Sequence, residues 1–345
     1  MRRRHLGIAL VALVAAAAIP ALVAAATKAY TSPTLKATKT GTRTILSATV
    51  AQGDDGTARV AIYAPTGTTI TTSAAPGAVV GAVQANIAAH SLGGALIPLA
   101  GDIRVAPTGA VTPAQATACA GTPTPTVIWL MELQAAGQTL PVPIYLVPTA
   151  GAEAALGPAK MIACFTAHDL PGTPPPCAPF LCAQFLGATL TFFGVFTPPP
   201  AGAWVALWTP YTPRTGQPNA AGTVASPAVT APGSLAVVAR RRARNVTVGG
   251  TVTQGGQPVA GAAVRLQRGR TAGRLGSFRT LRTNSQGRFA ITTLARAGTF
   301  FRASTTVAGR TSAAVCASLG SALPVPCVNG TISGFAATTK TIRAR

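Results

Sequence analysis

Glycine and proline interrupt this chain so often that long helices have almost nowhere to form. The 345 residues include 36 glycines and 29 prolines, set among short runs rich in threonine and valine. Such punctuation favours short strands joined by turns. Hydrophobic residues make up 48% of the chain, enough to fill cores and to exclude wholesale disorder. The length suits two ordinary domains. The expected fold is all-β: a larger, irregular antiparallel β-sandwich or barrel, followed by a smaller seven-stranded sandwich.

The N-terminus reads as an address. Arg2, Arg3 and Arg4 precede an uncharged stretch from Leu6 to Val23, broken by Pro20 and followed by Ala24-Ala25-Ala26. A basic start, an apolar middle and a small-residue cleavage site are the layout of a secretory signal peptide over residues 1–26. Pro20 and the alanine-rich end favour removal over retention as an anchor. No later stretch is long and apolar enough to span a membrane, which needs about 20 residues. The expected location is secreted or cell surface, with no transmembrane segment after signal removal.

Six cysteines, all after the signal, fit an exported chain with disulfides. Cys177 and Cys182 bracket a short loop, and Cys316 and Cys327 bracket a proline-containing one. That spacing leaves Cys119 for Cys164. The gap between Cys177 and Cys182 is not C-x-x-C, and no histidine pair completes a zinc set. The expectation is no metal and no cofactor.

Charge divides the chain. Residues 27–239 carry eight basic and six acidic side chains; residues 240–345 carry seventeen basic and none acidic. The step begins at Arg240-Arg241-Arg242-Ala243-Arg244, after the apolar run Leu235 to Val238. This suggests a β-rich domain over 32–239, a basic linker over 240–244 and a sandwich over 245–345. Period-two patterning places Val264, Leu266, Phe289, Ile291, Phe301, Ala303 and Val307 inward, with Arg265, Gln267, Arg288 and Arg302 outward. Arg279 and Leu281 share a parity, so a bulge or a shifted register intervenes. In the first region, Thr112-Pro113-Ala114-Gln115 has the form of a capped helix start leading to Cys119.

Gly250-Thr251-Val252, then Gly256-Gln257-Pro258-Val259-Ala260-Gly261-Ala262-Ala263-Val264, then Thr283-Asn284-Ser285-Gln286-Gly287-Arg288-Phe289 together resemble the carboxypeptidase-regulatory-like (transthyretin-type) β-sandwich family. The resemblance covers residues 245–310. It implies an Ig-like seven-stranded sandwich used as an accessory or adhesive module of exported proteins, without catalysis of its own. The family's acidic residue before the turn glycine is here Gln286. The region 32–239 is similar only to uncharacterised exported actinobacterial proteins that pair a β-domain with this module.

Candidates for chemistry are few. Asp54-Asp55, within Gly53-Asp54-Asp55-Gly56, could be a calcium turn or a plain hairpin. His168-Asp169, His90-Ser91 and Cys164 could contribute to a hydrolytic set, but no G-x-S-x-G elbow surrounds Ser91. The only glutamates, Glu132 and Glu153, lack supporting acids for glycoside cleavage. Trp204, Trp208 and Tyr211 form the densest aromatic segment, either a glycan platform or core. An acid-free basic domain projects a potential of several kT and gathers polyanions. The expectation is therefore a non-enzymatic, envelope-associated protein whose Arg240, Arg241, Arg242, Arg244, Arg265, Arg288 and Arg302 contact an anionic cell-envelope polymer or glycan. The runners-up are a carbohydrate-binding module and a cryptic secreted hydrolase. Export and an aromatic content of 5% argue against specific nucleic-acid recognition. The oligomeric state is left open.

Overall fold

The computed structural model describes residues 30–135, 137–165, 183–212 and 216–344. The N-terminal segment read as a signal peptide, and Cys177, Cys182, His168 and Asp169, lie outside the described residues. No helix among the described residues is long and apolar enough to cross a membrane.

The first part of the chain forms β1 (Thr34–Thr40), β2 (Arg43–Thr49), β3 (Thr57–Tyr63), β4 (Thr69–Ile70), β5 (Val79–Ala89), β6 (Ala95–Val105), helix α1 (Pro113–Ala120), β7 (Val127–Ala135), β8 (Gln138–Pro148), β9 (Ala159–Cys164), β10 (Ala183–Phe193), β11 (Phe196–Thr197), β12 (Gly202–Pro210) and β13 (Val224–Thr230). Apart from the β4–β11 pair, these strands lie in one antiparallel sheet in the order β1-β2-β10-β5-β6-β7-β8-β9-β3-β12-β13. The sheet curls until β1 packs against β13 without closing into a hydrogen-bonded barrel.

Alternation explains the interior. Leu46, Val83, Leu99, Met131, Ile144, Met161, Val60 and Leu190 come from successive strands and share one core. At one end Trp129, Phe192, Phe196 and Trp204 interlock, with ring centroids 5.0 to 6.0 Å apart. Each such ring buries about 150–250 Å², so this cluster carries much of the apolar burial. A second layer covers the sheet from outside. Tyr63, Tyr145, Ile162 and Val205 pack there with Ala116, Cys119 and Ala120 of α1. Strands β3, β8, β9 and β12 are thus apolar on both faces, which is why they read as nearly continuous hydrophobic runs.

The helix starts as its sequence predicts. Thr112 Oγ1 accepts from Gln115 N at 3.2 Å, and Gln115 Oε1 accepts from Thr112 N at 2.9 Å. The Cys119–Cys164 disulfide pins α1 to β9.

The second part contains β14 (Gly233–Arg242), β15 (Asn245–Gln254), β16 (Gln257–Pro258), β17 (Ala263–Thr271), β18 (Arg274–Arg282), β19 (Arg288–Leu294), β20 (Phe300–Val307), β21 (Arg310–Thr311), helix α2 (Ala313–Leu319), β22 (Thr331–Ile332), β23 (Phe335–Thr338) and β24 (Ile342–Arg343). β14, β15, β16 and β19 make one sheet; β18, β17 and β20 make the other, with β23 and β24 both lying along β20. Val246, Val248, Val252, Val264, Leu266, Phe289 and Phe301 fill the space between them. No bulge separates Arg279 from Leu281, which pair in unbroken register with Leu266 and Val264; the β17–β18 register shifts one step further on, between Leu266 and Gln267, leaving Phe278 out of the ladder.

The linker and the boundary at 245 need correcting. Arg240, Arg241 and Arg242 belong to β14 and pair with Thr247, Val246 and Asn245. Ala243, at φ +56°, sits with Arg244 in the connecting turn. A tight hairpin therefore occupies the place of the supposed connector, and the sandwich begins at Gly233. Nor does 245–345 fold as a sandwich throughout. Between β20 and β23 the chain leaves it, and β22 extends the first sheet by pairing parallel to β13. Thr331 Oγ1 and Ser333 Oγ donate to the Leu35 and Ala37 carbonyls of β1. The Cys316–Cys327 disulfide staples this arm.

Candidate functional site

The arginines predicted as one contact set are divided by the two sheets. On β14 and β19 the inward positions include Leu235, Val237 and Phe289, so Arg240, Arg242 and Arg288 stand on the outer face of that sheet. Arg265 and Arg302 alternate with buried Val264, Leu266, Phe301 and Ala303, so they stand on the outer face of the opposite sheet. Arg244 sits in the turn, and its carbonyl accepts from Ala295 N at 3.2 Å. The structure thus brings together Arg240 with Arg242, and Arg265 with Arg302, but not the whole set. Parity within one strand is legible in sequence; which strands share a sheet is not.

The face bearing Arg265 also carries Arg282 and Arg343, which the sequence reading missed. Arg282 pairs with Ala263, and Arg343 with Phe300, placing both outward. The bulge at Phe278 hid the parity of Arg282. A strand of two residues gives Arg343 no periodic signal.

The ion pairs found among the described residues all lie in the first part of the chain, where all five described acids reside. Arg104 bridges Asp102 at 2.6 Å and Glu132 at 3.0 Å on neighbouring strands. Lys160 Nζ meets Glu153 at 2.6 Å, and Tyr63 Oη donates to the same carboxylate at 2.9 Å. Burial alone would raise the Glu153 carboxyl, but the hydrogen bonds from Lys160 and Tyr63 outweigh it and hold it below its ordinary value. Glu132 and Glu153 are therefore engaged in separate pairs.

The glycan platform is corrected. Trp204 and Trp208 are 1% and 0% exposed, and Trp208 Nε1 donates to Ser226 Oγ at 2.6 Å inside the core. Tyr211 is half-buried and its hydroxyl donates to the Phe165 carbonyl. Aromatic residues are scarce here, and the interior takes all three tryptophans.

Within the Gly53–Gly56 turn Gly53 is exposed, while Asp54, Asp55 and Gly56 are buried. Asp54 Oδ1 accepts from Thr31 N at 3.0 Å and from Thr31 Oγ1 at 2.7 Å. His90 Nε2 lies 3.1 Å from Gln184 Oε1, and Gln184 in turn donates to the Asp54 carbonyl. Among the described residues no three His, Cys, Asp or Glu side chains gather as a metal site requires. One end of the curled sheet holds an apolar cavity of about 220 Å³, lined by Leu99, Met131, Leu133, Val142, Phe165 and Phe185 among others.

The residues of the G-x-V…T-x-x-x-G-x-F pattern have structural duties. Gly250 is packed so closely that a Cβ would lie 2.0 Å from the Ala236 carbonyl oxygen. Thr283 Oγ1 accepts from Ala262 N and donates to the Val259 carbonyl, tying the turn to the strand before it. Gly287 takes φ +68°, which L side chains rarely adopt. Asn284 Oδ1 accepts from the backbone of Gln286 and Arg288 across this turn.

No protein-family model matches the chain, and no curated protein matches it. Among solved structures, the dimeric latent PorU of Porphyromonas gingivalis aligns at 9% identity with a TM-score of 0.17, over 92% of this chain. The chain spans 33% of that protein, and a likeness this low carries no argument about fold or function.

Proposed function

We propose that this is an exported, non-enzymatic protein held at the cell envelope by electrostatic attachment of its cationic sandwich to an anionic polymer. The observation behind this reading is a compact domain whose surface arginines lack any internal acid to neutralise them. No aspartate or glutamate occurs after Asp169, and the ion pairs found lie in the first part of the chain. A folded surface of one sign attracts polyanions by several kT and draws them in from solution. Two disulfides fit an oxidising or extracellular setting, and the signal-like N-terminus supplies a route to it. We read the glycine and threonine framework of the sandwich as that of a carboxypeptidase-regulatory-like module, a role of attachment and not catalysis.

The test is retention of the intact chain on immobilised poly(glycerol phosphate) and on sedimented cell envelopes across a salt series. Binding should be strong near 50 mM salt and largely lost by about 500 mM, where the screening length falls to a few ångströms. Retention indifferent to salt, or no retention at the lowest salt, rejects electrostatic attachment.

A further inference from the structure

We propose that four arginines on the outer face of the β18-β17-β20-β24 sheet, Arg282, Arg265, Arg302 and Arg343, form an oblique binding stripe for a linear, base-free phosphodiester polymer. The inference rests on the polyanion reading above and adds a location and a pattern to it.

The register sets the stripe. Arg282 lies opposite Ala263, and Arg265 is two residues further along β17. Arg302 lies opposite Gln267, and Arg343 opposite Phe300, which itself faces Gly269. Along β17 the four arginines therefore stand level with positions 263, 265, 267 and 269. Each is one strand over and two residues on from the last. With strands about 4.8 Å apart and a rise of about 3.3 Å per residue, each step is about 8 Å and the row spans about 25 Å.

The side chains around the row are neutral. Thr280 and Ser304 flank Arg265, and Thr338 lies beyond Ser304. Three of the four arms are already held in place. Arg282 Nη1 donates to the Gly261 carbonyl at 3.0 Å, Arg302 Nε donates to Gln267 Oε1 at 2.8 Å, and the Arg343 guanidinium lies 6.0 Å from the Phe300 ring centroid. Arms fixed before binding lose less entropy on contact, and the planar guanidinium suits a phosphate oxygen pair.

The pattern selects a chain over a small anion. A lone phosphate reaches at most two neighbouring arginines, whereas a polymer with recurring charges engages all four. It also selects against bases, because Arg343 occupies the face of Phe300, the exposed-side ring of the row, and leaves no open platform for stacking. The opposite outer face has no such row. Arg240 and Arg242 lie on β14 and Arg288 on β19, with Thr247, Gly249 and Thr251 of β15 between them.

The experiment compares two fourfold variants of the intact chain with equal charge removed. One is Arg282→Gln, Arg265→Gln, Arg302→Gln and Arg343→Gln; the other is Arg240→Gln, Arg241→Gln, Arg242→Gln and Arg244→Gln. Each is titrated with poly(glycerol phosphate) over a salt series and melted to confirm folding. The stripe variant should lose at least tenfold in affinity near 100 mM salt, and its log–log salt slope should shrink by about 3, at 0.7–0.9 per lost phosphate contact. The hairpin variant should stay within threefold of the parent. The double variant Arg265→Gln, Arg282→Gln, which spares the two arms packed on Gln267 and Phe300, should show about half the slope change if the fourfold variant fails to fold. Equal losses in the two fourfold variants overturn the stripe and leave polyanion binding by net charge intact. Absence of binding by the parent chain overturns both readings. Single-stranded DNA binding as tightly as the glycerol polymer overturns the choice of a base-free chain.

Discussion

Every tryptophan, tyrosine and acid of this chain lies before the first strand of the sandwich, and the sandwich itself has none. The curled sheet pairs several of its polar groups internally: Glu153 with Lys160 and Tyr63, Trp208 with Ser226, and one oxygen of Asp54 with Thr31, while Asp54 Oδ2 is buried without a partner among the described residues. The sandwich keeps a core of valine, leucine and phenylalanine beneath a skin of arginine and hydroxyl side chains. Both are antiparallel β-structures with alternating burial, so fold does not separate them. They differ in where the charges find partners. The sheet holds its counter-charges, and the sandwich must find them outside the molecule.

The two regions are nevertheless bound together, and the disulfides test how strongly. Closing the 45-residue separation between Cys119 and Cys164 removes loop entropy from the unfolded chain worth about 4 kcal/mol; the 11-residue Cys316–Cys327 loop is worth about 3 kcal/mol. Replacing both members of either pair with alanine should lower unfolding stability by those amounts. Tryptophan fluorescence reads the first sheet alone, because all three tryptophans are there. If removing Cys316–Cys327 lowers the tryptophan-monitored midpoint, the arm stabilises the sheet it joins; an unchanged midpoint would show the arm to be an ornament of the sandwich.

Within the sandwich, Gly250→Val should be the most damaging point change. Its Cβ would meet the Ala236 carbonyl oxygen at 2.0 Å and Phe289 Cζ at 2.8 Å, so β14 must separate from β15 or the core must open. A cost of about 3 kcal/mol fits forced overpacking. Hydrogen exchange in β14 and β15 would report it, and fast exchange confined to the sandwich would show that the two regions open independently.

Much of this fold is legible in sequence because it depends on local period. The strand from Val127 and the capping box at Thr112 declare themselves over a few residues. The Cys119–Cys164 pairing follows by elimination. Strand β1, Thr-Leu-Lys-Ala-Thr-Lys-Thr, escapes notice because it is an edge strand and wears lysines as edges do. The placement of β10 between β2 and β5, and the parallel contact of Ala228 with Thr331, join residues about 90 to 150 positions apart. No local pattern encodes such pairings. The site divides in the same way: an acid-free, arginine-rich region is plain from composition, whereas a row of arginines across four strands exists only once the register is known.

Titration sharpens the contrast. Burial raises all four tyrosines, Tyr30, Tyr63, Tyr145 and Tyr211, with Tyr63 raised further by its bond to Glu153. A raised tyrosine favours the folded state at pH below its ordinary value of 10.0, and that contribution drains away as pH rises through 10 toward the folded value. Glu153 is lowered from 4.5, so its contribution is present above about pH 4.5 and fades as pH falls through the folded value. The sheet should therefore weaken at both extremes, monitored by tryptophan. Between β14 and β24 there is no aspartate, glutamate, histidine or tyrosine, so protection against exchange in the sandwich strands, taken relative to the intrinsic amide rate at each pH, should stay flat from pH 4 to 9. Acid-induced opening of the sandwich at pH 4 would show that its stability is borrowed from the sheet.

Salt should act in the opposite sense on the two regions, with the smallest effect considered. Like charges crowded on the folded sandwich repel one another more than in an expanded chain. Added sodium chloride screens that repulsion, so exchange in β15 and β17 should slow between about 50 and 500 mM. The exposed Arg104 pairs with Asp102 and Glu132 should weaken over the same range, at a cost to the sheet of no more than about 1 kcal/mol. The same salt that firms the sandwich is expected to release it from a polymer. Stability and attachment would then move in opposite directions along one titration, a crossing that neutral adhesion through the β-sheet edges cannot produce.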